Sequence, residues 1–177
     1  EQALAPGRGT QQSDVAQSFA GLRQLGQILS VGDQMVAHHY GRIEVVDGGN
    51  LIAEGDEGHD IVFTSKSDDR YGGSGTFDTN NDNNLGANES QPGQGNWGGL
   101  FIGPNSQASI DHALITFAGG INGVEGNFAG FNAVAVSQAD LRLTNSVLEN
   151  NADGTGGSAP SDRYGRGSNS PATVFVR

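Results

Sequence analysis

Oxygen-bearing side chains recur at alternate positions in one segment of the chain, DTNNDNNLGANE. Asp78, Asn80 and Asp82 occupy its first, third and fifth positions, and Glu89 is its twelfth residue. A hard cation such as Ca²⁺ takes roughly six to eight oxygen ligands, and a short loop of Asp and Asn can wrap its oxygens around one point. The segment therefore predicts one calcium ion held by these four side chains, with the Asn84 carbonyl and water completing the shell.

The spacing is that of an EF-hand-like or dockerin-like calcium loop, but its surroundings differ. Asn83 stands at the sixth position, where EF-hand loops carry Gly, and Asn tolerates the left-handed backbone better than most residues. The flanks RYGGSGTF and SQPGQGNWGG are too rich in Gly and Pro for paired helices. Without an exiting helix Glu89 is the weakest ligand, and Asp68 or Asp69 is its alternative. A solvated loop without metal is the competing interpretation.

Composition excludes several classes of function. The formal net charge is −11 over 177 residues, so the surface repels nucleic acid and anionic lipid and attracts divalent cations. The chain has no Cys, which excludes disulfides and thiol catalysis. It has no apolar run of about 18 residues that would span a membrane. Because it does not begin with Met and stops inside the apolar run PATVFVR, we expect it to be a segment of a longer polypeptide.

The first 40 residues differ from the rest and are predicted to be a lead-in or N-terminal cap. Apolar residues at three- and four-residue spacing follow Ser13, a suitable N-cap, and predict a short amphipathic helix that reaches Leu29. Gly21 and Gly26 weaken that helix. Short strands LRQL and QILSV are the alternative.

From residue 41 to residue 177 short apolar runs alternate with turns. RIEVV, LIAEG and IVFTS are followed by GGLFI, ASID and ALITFAGG, and then by AVAVS, DLRL and SVLENNADG. The run from Ile110 to Ile115 matches the run from Leu143 to Leu148 at an interval of 33 residues. Repetition of one unit indicates a solenoid. We predict an all-β fold, a right-handed parallel β-helix, with long Gly/Asn-rich insertions at 67–96, 119–132 and 152–171.

The interior of this fold is predicted from the apolar positions of the short strands, because stacked parallel strands bury runs of Val, Ile and Leu. The predicted interior residues are Ile43, Val45, Leu51, Ile61, Phe63, Leu100, Ile102, Ile110, Leu114, Leu143, Val147 and Val174.

Four segments carry a resemblance to a known family: LIAEGDEGHDIVFTSKSDD, FDTNNDNN, GNWGGLFIGPNSQASIDHALITFAGG and SVLENNADG. Over residues 41–177 the chain resembles the parallel β-helix, pectin-lyase-like repeat regions of very large bacterial surface proteins of the planctomycete type. The resemblance implies a structural segment of a secreted or cell-surface fibre or adhesin-like protein, stabilised by calcium. Its implied partners are further coils of the same chain or neighbouring copies, and polysaccharide.

A carbohydrate-active enzyme of the polysaccharide lyase type, or a polysaccharide-binding module of the same fold, is the alternative. Lyases of that fold bind calcium through Asp clusters on a strand face and use Arg or Lys as base. Here the acidic ligands lie in a loop and no single strand carries such a cluster, so catalysis is disfavoured but left open. A groove along one strand face with two carboxylates, an Arg and exposed aromatics would distinguish this alternative.

One group of residues invites a catalytic triad, namely Ser109, Asp111 and His112. Successive residues of a strand point to opposite faces, so Asp111 and His112 diverge. They also align with Thr144 and Asn145 in the repeat. A polar ladder at a repeat turn is therefore the preferred interpretation over nucleophilic catalysis.

Three further features have structural alternatives. His38 and His39 are adjacent and point apart in a strand, which disfavours a shared metal. Trp97 is predicted to plug the edge of the core, with sugar stacking as the alternative. The order Asp-Arg-Tyr occurs at 69–71 and at 162–164, and structural ion pairs are expected in both places.

Overall fold

The structure is a computed structural model. It describes residues 22–25, 28–31, 34–37, 41–71, 91–124, 127–154 and 170–177. The predicted calcium loop, the histidine pair and the second Asp-Arg-Tyr copy lie outside the described residues.

The described residues are all-β, as predicted, with one 3-10 turn at Asp69–Tyr71. The strands are β1 (Leu22–Leu25), β2 (Ile28–Val31), β3 (Gln34–Ala37), β4 (Arg42–Val45), β5 (Asn50–Glu54), β6 (Ile61–Ser65), β7 (Leu100–Ile102), β8 (Gln107–Asp111), β9 (Ala113–Thr116), β10 (Ile121–Val124), β11 (Asn127–Gly130), β12 (Val134–Val136), β13 (Asp140–Thr144), β14 (Val147–Glu149) and β15 (Val174–Val176). Within these residues no helix is long and apolar enough to cross a membrane.

The strands form three small, largely parallel sheets and one separate hairpin. The first sheet has the order β1-β4-β7-β12-β15, the second β13-β8-β5 and the third β14-β9-β6-β3-β2. Every pair is parallel except β1 with β4 and β2 with β3, each at a sheet edge, and the antiparallel hairpin β10–β11.

The prediction of a right-handed parallel β-helix is wrong. The strands lie in separate small sheets, two of which end in antiparallel strands, and not in one closed solenoid. A pattern of short apolar strands joined by tight turns is compatible with a closed β-helix and equally with separate small parallel sheets that share a core. Strand spacing in the sequence therefore predicts the sheets, but not their closure into a cylinder.

The prediction of a short N-terminal helix is also wrong where the structure describes the chain. Both LRQL and ILSV are strands, in agreement with the alternative interpretation. Glycine inside a helix costs about 1 kcal/mol relative to Ala, and Gly21 and Gly26 are both in this segment. Because β1 pairs with β4 and β3 pairs with β6, strands β1 to β3 extend the same sheets as the later described strands. The division into a lead-in and a main body stays a prediction.

The predicted 33-residue repeat is confirmed by the strand register. Leu143 pairs with Ile110, and Leu148 pairs with Ile115. The turns between strands repeat as well, since His112 and Asn145 both have a φ of 45°. Asn adopts this left-handed conformation more readily than most residues, which explains its frequency at the turns.

The three sheets share one hydrophobic cluster. Seven of the predicted interior residues are buried in it: Ile43, Val45, Leu51, Phe63, Leu100, Ile102 and Ile110. Ile61 and Leu143 pack against its edge. The cluster also contains Ala108 of β8, Ala113 of β9, and Val134 and Val136 of β12.

Two predicted interior positions, Leu114 and Val147, are wrong by one residue of register. In β9 the buried side chain is Ile115 and not Leu114, and in β14 Leu148 packs against the core while Val147 is 52% exposed. Val174 pairs with the buried Val134, as the prediction requires, but it is 40% exposed because β15 is the last described strand of its sheet. Both β9 and β14 have apolar residues at consecutive positions, so alternation in the sequence does not tell which one faces inward.

Candidate functional site

The second sheet has one face in the core and one face in solvent. In β5 Leu51 and Ala53 are buried, while Asn50, Ile52 and Glu54 are exposed, as the period of two requires. Because β5, β8 and β13 are parallel and in register, their outward residues align across the sheet. We call this surface the outer face. Its first row is Asn50, Gln107 and Asp140, its second row is Ile52, Ser109 and Arg142, and its third row is Glu54, Asp111 and Thr144.

Arg142 connects all three strands of the outer face. Its Nη1 lies 3.2 Å from Ser109 Oγ and 3.3 Å from Glu54 Oε1, and its Nη2 lies 3.1 Å from Asp111 Oδ2. The Ser109 hydroxyl in turn donates a hydrogen bond of 2.6 Å to Glu54 Oε1. One guanidinium thus fixes two carboxylates and a hydroxyl in place, with the fork geometry that Arg provides.

Asp111 is held ionised by its neighbours. Thr144 Oγ1 donates to Asp111 Oδ1 at 2.8 Å, and Asn145 Nδ2 donates to the same oxygen at 2.9 Å. The hydrogen bond from Thr144 is the largest effect on Asp111, and together with those from Asn145 and Arg142 it outweighs desolvation and lowers the pKa of Asp111 to about 2. A carboxyl with this pKa carries no proton near neutral pH, so it cannot act as a general acid.

We expect an NMR titration to place the pKa of the Asp111 carboxyl near 2. Since the folded pKa lies below the usual 3.8, the stability from Asp111 is present above about pH 4 and is lost as pH falls through about 2. Removal of the leading donor in Thr144→Val should raise the pKa of Asp111. A wild-type midpoint near 3.8 would contradict the hydrogen-bond geometry.

The outer face forms an open groove of about 500 Å³. It is lined by the first and second rows together with Glu54, Ala108 and Leu141. Ile52, in the second row, is 51% exposed and offers an apolar surface beside Ser109 and Arg142. The described lining residues include no aromatic side chain. The groove thus combines hydrogen-bonding groups with one apolar contact.

The contacts around Ser109 are those of a polar ladder and not of a triad. Its hydroxyl pairs with Glu54 and Arg142. His112 Nδ1 lies 3.3 Å from Asp111 Oδ1 on the neighbouring turn. The nucleophile–base hydrogen bond that a triad requires is not among these contacts.

Arg70 of the first Asp-Arg-Tyr copy forms a structural ion pair, as expected, and its partner is Asp68, the residue just before the motif. Asp68 is fully buried, and its two oxygens accept hydrogen bonds from Arg70 at 2.7 and 3.0 Å and from Thr64 at 2.5 Å. The hydrogen bond that Arg70 donates to Asp68 raises the pKa of the Arg70 guanidinium. The guanidinium also lies over the rings of Tyr71 and Phe117, at 5.2 and 5.5 Å. With both oxygens engaged, Asp68 is poorly placed to replace Glu89 at a calcium ion.

Trp97 plugs the core, as predicted. It is 1% exposed, and its Nε1 donates to the Thr116 carbonyl at 2.8 Å. An indole enclosed in this way has no free face on which a sugar could stack.

The predicted calcium ligands Asp78, Asn80, Asp82, Asn84 and Glu89 all lie outside the described residues. Among the residues that are described, no group of three or more His, Asp or Glu side chains is arranged to hold a metal ion. The calcium site therefore stays a prediction.

The arginine cluster, which consists of Arg142, Glu54, Ser109 and Asp111, was not predicted from the sequence. Carboxylates and bases were expected to lie together on a single strand. Glu54, Ser109 and Arg142 come from three different strands. The signal was present in LIAE, QASID and DLRLT, whose alternating polar positions fall into rows once the strands are aligned. No family model matches the chain, and comparisons with curated proteins and with solved structures find no significant match.

Proposed function

We propose that this chain is a non-catalytic polysaccharide-binding segment of a secreted or cell-surface protein, with the outer face as its binding surface. The observation that carries the proposal is the bridge from Arg142 to Glu54, Asp111 and Ser109 along an open groove. Binding sites for small polar ligands use a few fixed polar groups for orientation and apolar surface for contact. Sugars present both hydroxyl groups and apolar C–H faces, and the groove has a partner for each.

The regular spacing of the outer face suits an extended ligand. Neighbouring strands lie about 4.8 Å apart, so each row presents one side chain at that interval, and in the first and third rows all of these side chains can form hydrogen bonds. Ser109 lies at the centre, between Ile52 and Arg142. The carboxylates are pre-positioned by the guanidinium, which reduces the entropy lost when a ligand binds.

Binding is favoured over catalysis because the described lining of the groove contains no His, and the two central charged groups of the arginine cluster, Asp111 and Arg142, keep their charges near neutral pH. Asp111 is held ionised, and its lowered pKa of about 2 keeps it from donating a proton. Arg142 is paired with two carboxylates, and an arginine side chain stays protonated in proteins. Lyase or hydrolase chemistry at this groove would need a group that changes its protonation near neutral pH.

We expect affinity electrophoresis in polysaccharide-containing gels to retard the wild-type protein, and Arg142→Gln to weaken binding at least about tenfold. The substitution removes the guanidinium that positions Glu54 and Asp111, and a tenfold loss corresponds to about 1.4 kcal/mol of binding free energy. Lys66→Gln, which removes a cation outside the groove lining, is the matched control and should bind normally. Unretarded migration of the wild-type protein through every polysaccharide tested would refute the proposal.

A second function, that of a structural segment stabilised by calcium, is favoured by the sheet edges. In the described topology β13, β14 and β15 are the last strands of their sheets, and Val147 and Val176 are 52% and 68% exposed. Exposed edge strands pair readily with further strands. In this proposal the partners are more strands of the same chain or of neighbouring copies.

Calcium is expected to raise the melting temperature of the protein. At a free concentration of about 100 times the dissociation constant, a single site adds about 2.7 kcal/mol of stability. That corresponds to roughly 5–10 °C for a domain of this size. The double substitution Asp78→Ala with Asp82→Ala should abolish the shift, whereas Asp56→Ala with Asp60→Ala should keep it. Equal melting temperatures of the wild-type protein in calcium and in chelator would eliminate the site.

A further inference from the structure

We infer that the outer face selects uncharged glycans and rejects acidic ones, an inference that rests on the proposed polysaccharide-binding function. The charges of the outer face carry it. Glu54, Asp111 and Asp140 contribute three carboxylates, and Arg142 contributes the single guanidinium. The surface is therefore negative, on a chain whose formal net charge is already −11.

The positive charge of Arg142 is committed to the protein's own carboxylates. Its two terminal nitrogens lie 3.3 Å from Glu54 Oε1 and 3.1 Å from Asp111 Oδ2. A ligand carboxylate or sulfate would have to compete with these two carboxylates for the guanidinium. It would also lie within the Debye length, about 8 Å at physiological salt, of uncompensated negative charge. Arg142 is thus a positioning residue for the carboxylates and not a receptor for anions.

The same arrangement suits hydroxyl groups. A carboxylate offers several acceptor positions, so Glu54 and Asp140 can accept hydrogen bonds from sugar hydroxyls in addition to their internal contacts. Gln107 and Asn50, in the first row beside Asp140, add amides that both donate and accept. Ile52 supplies the apolar contact. Every one of these interactions is available to an uncharged sugar.

Isothermal titration calorimetry with hexasaccharides of equal length tests the inference. The probes are uncharged hexasaccharides of glucose, mannose and galactose, and the acidic hexamer of galacturonic acid. We expect at least one uncharged probe to bind at least about tenfold more tightly than the acidic hexamer, with little dependence on sodium chloride concentration. The double variant Glu54→Gln with Asp140→Asn keeps similar side-chain shapes and should bind the acidic hexamer more tightly than the wild-type protein does.

The outcomes separate this inference from the function on which it rests. If the acidic hexamer binds as tightly as the best uncharged probe, the selectivity is overturned while polysaccharide binding stands. If no probe binds the wild-type protein, both are overturned. If the double variant discriminates as strongly as the wild-type protein, the charge argument is overturned, because another feature must then set the preference.

Discussion

Replacement of Gly99 by Ala is expected to destabilise the protein by about 4 kcal/mol, from backbone strain and a steric clash together. Gly99 has a φ of +86°, and a Cβ built there would lie 2.4 Å from the Ala133 carbonyl oxygen and 2.7 Å from that of Asn132. Both obstacles are backbone atoms of the segment that leads into β12. That segment is held close to Gly99, because Leu100 N donates a hydrogen bond to the Ala133 carbonyl at 2.8 Å.

Gly58→Ala is the matched control for this substitution. Gly58 has a similar φ of +79°, but nothing lies within 4 Å of a Cβ at that position. Only the left-handed backbone conformation is penalised there, at about 1–2 kcal/mol. Urea unfolding of both variants gives the comparison. Equal losses of unfolding free energy in the two variants would contradict a steric clash at position 99.

Breaking the ion pair between Arg42 and Glu44 is expected to cost about 3–5 kcal/mol, because the remaining charge stays buried. Both side chains project from the same face of β4, Arg42 is fully buried and Glu44 is 1% exposed. The guanidinium carbon also lies 3.7 Å from the centre of the Phe131 ring and 5.8 Å from that of Phe101. Water therefore has little access to either charge.

A double-mutant cycle isolates the interaction energy between Arg42 and Glu44 from the energies of their contacts with other residues. Glu44→Leu alone and Arg42→Met alone should each destabilise strongly, whereas the double variant should be much closer to the wild-type protein, since both buried charges are then gone. The free energies of unfolding come from urea titrations at pH 7. Losses that simply add in the double variant would contradict an enclosed, mutually compensating pair.

The sequence contained enough information for the strands and for much of the register. The match between Ile110–Ile115 and Leu143–Leu148 predicted the pairing of β8 with β13 and of β9 with β14, which the structure confirms. Strands that lie side by side must place their hydrophobic side chains in the same core. A match between the hydrophobic patterns of two segments therefore predicts that their strands are neighbours. The burial of Trp97 followed from its lone position between glycine-rich segments.

The failures have a common physical origin in tertiary contacts. Closure of the sheets, the strand character of β1 and β2 and the inward side of β14 depend on what each element packs against, and local patterns do not encode that. The arginine cluster was missed for the same reason. Glu54 and Arg142 are 88 residues apart in the chain, and only strand alignment brings them to within 3.3 Å.

An NMR titration tests the binding of a glycan to the outer face most directly. ¹⁵N and methyl spectra of the wild-type protein would be recorded during addition of the best-bound uncharged hexasaccharide. We predict shift changes at the backbone amides of β5, β8 and β13 and at the Ile52 methyls, and contacts between those methyls and sugar protons. Shift changes confined to other strands, or no shift changes at millimolar ligand, would contradict glycan binding at the outer face.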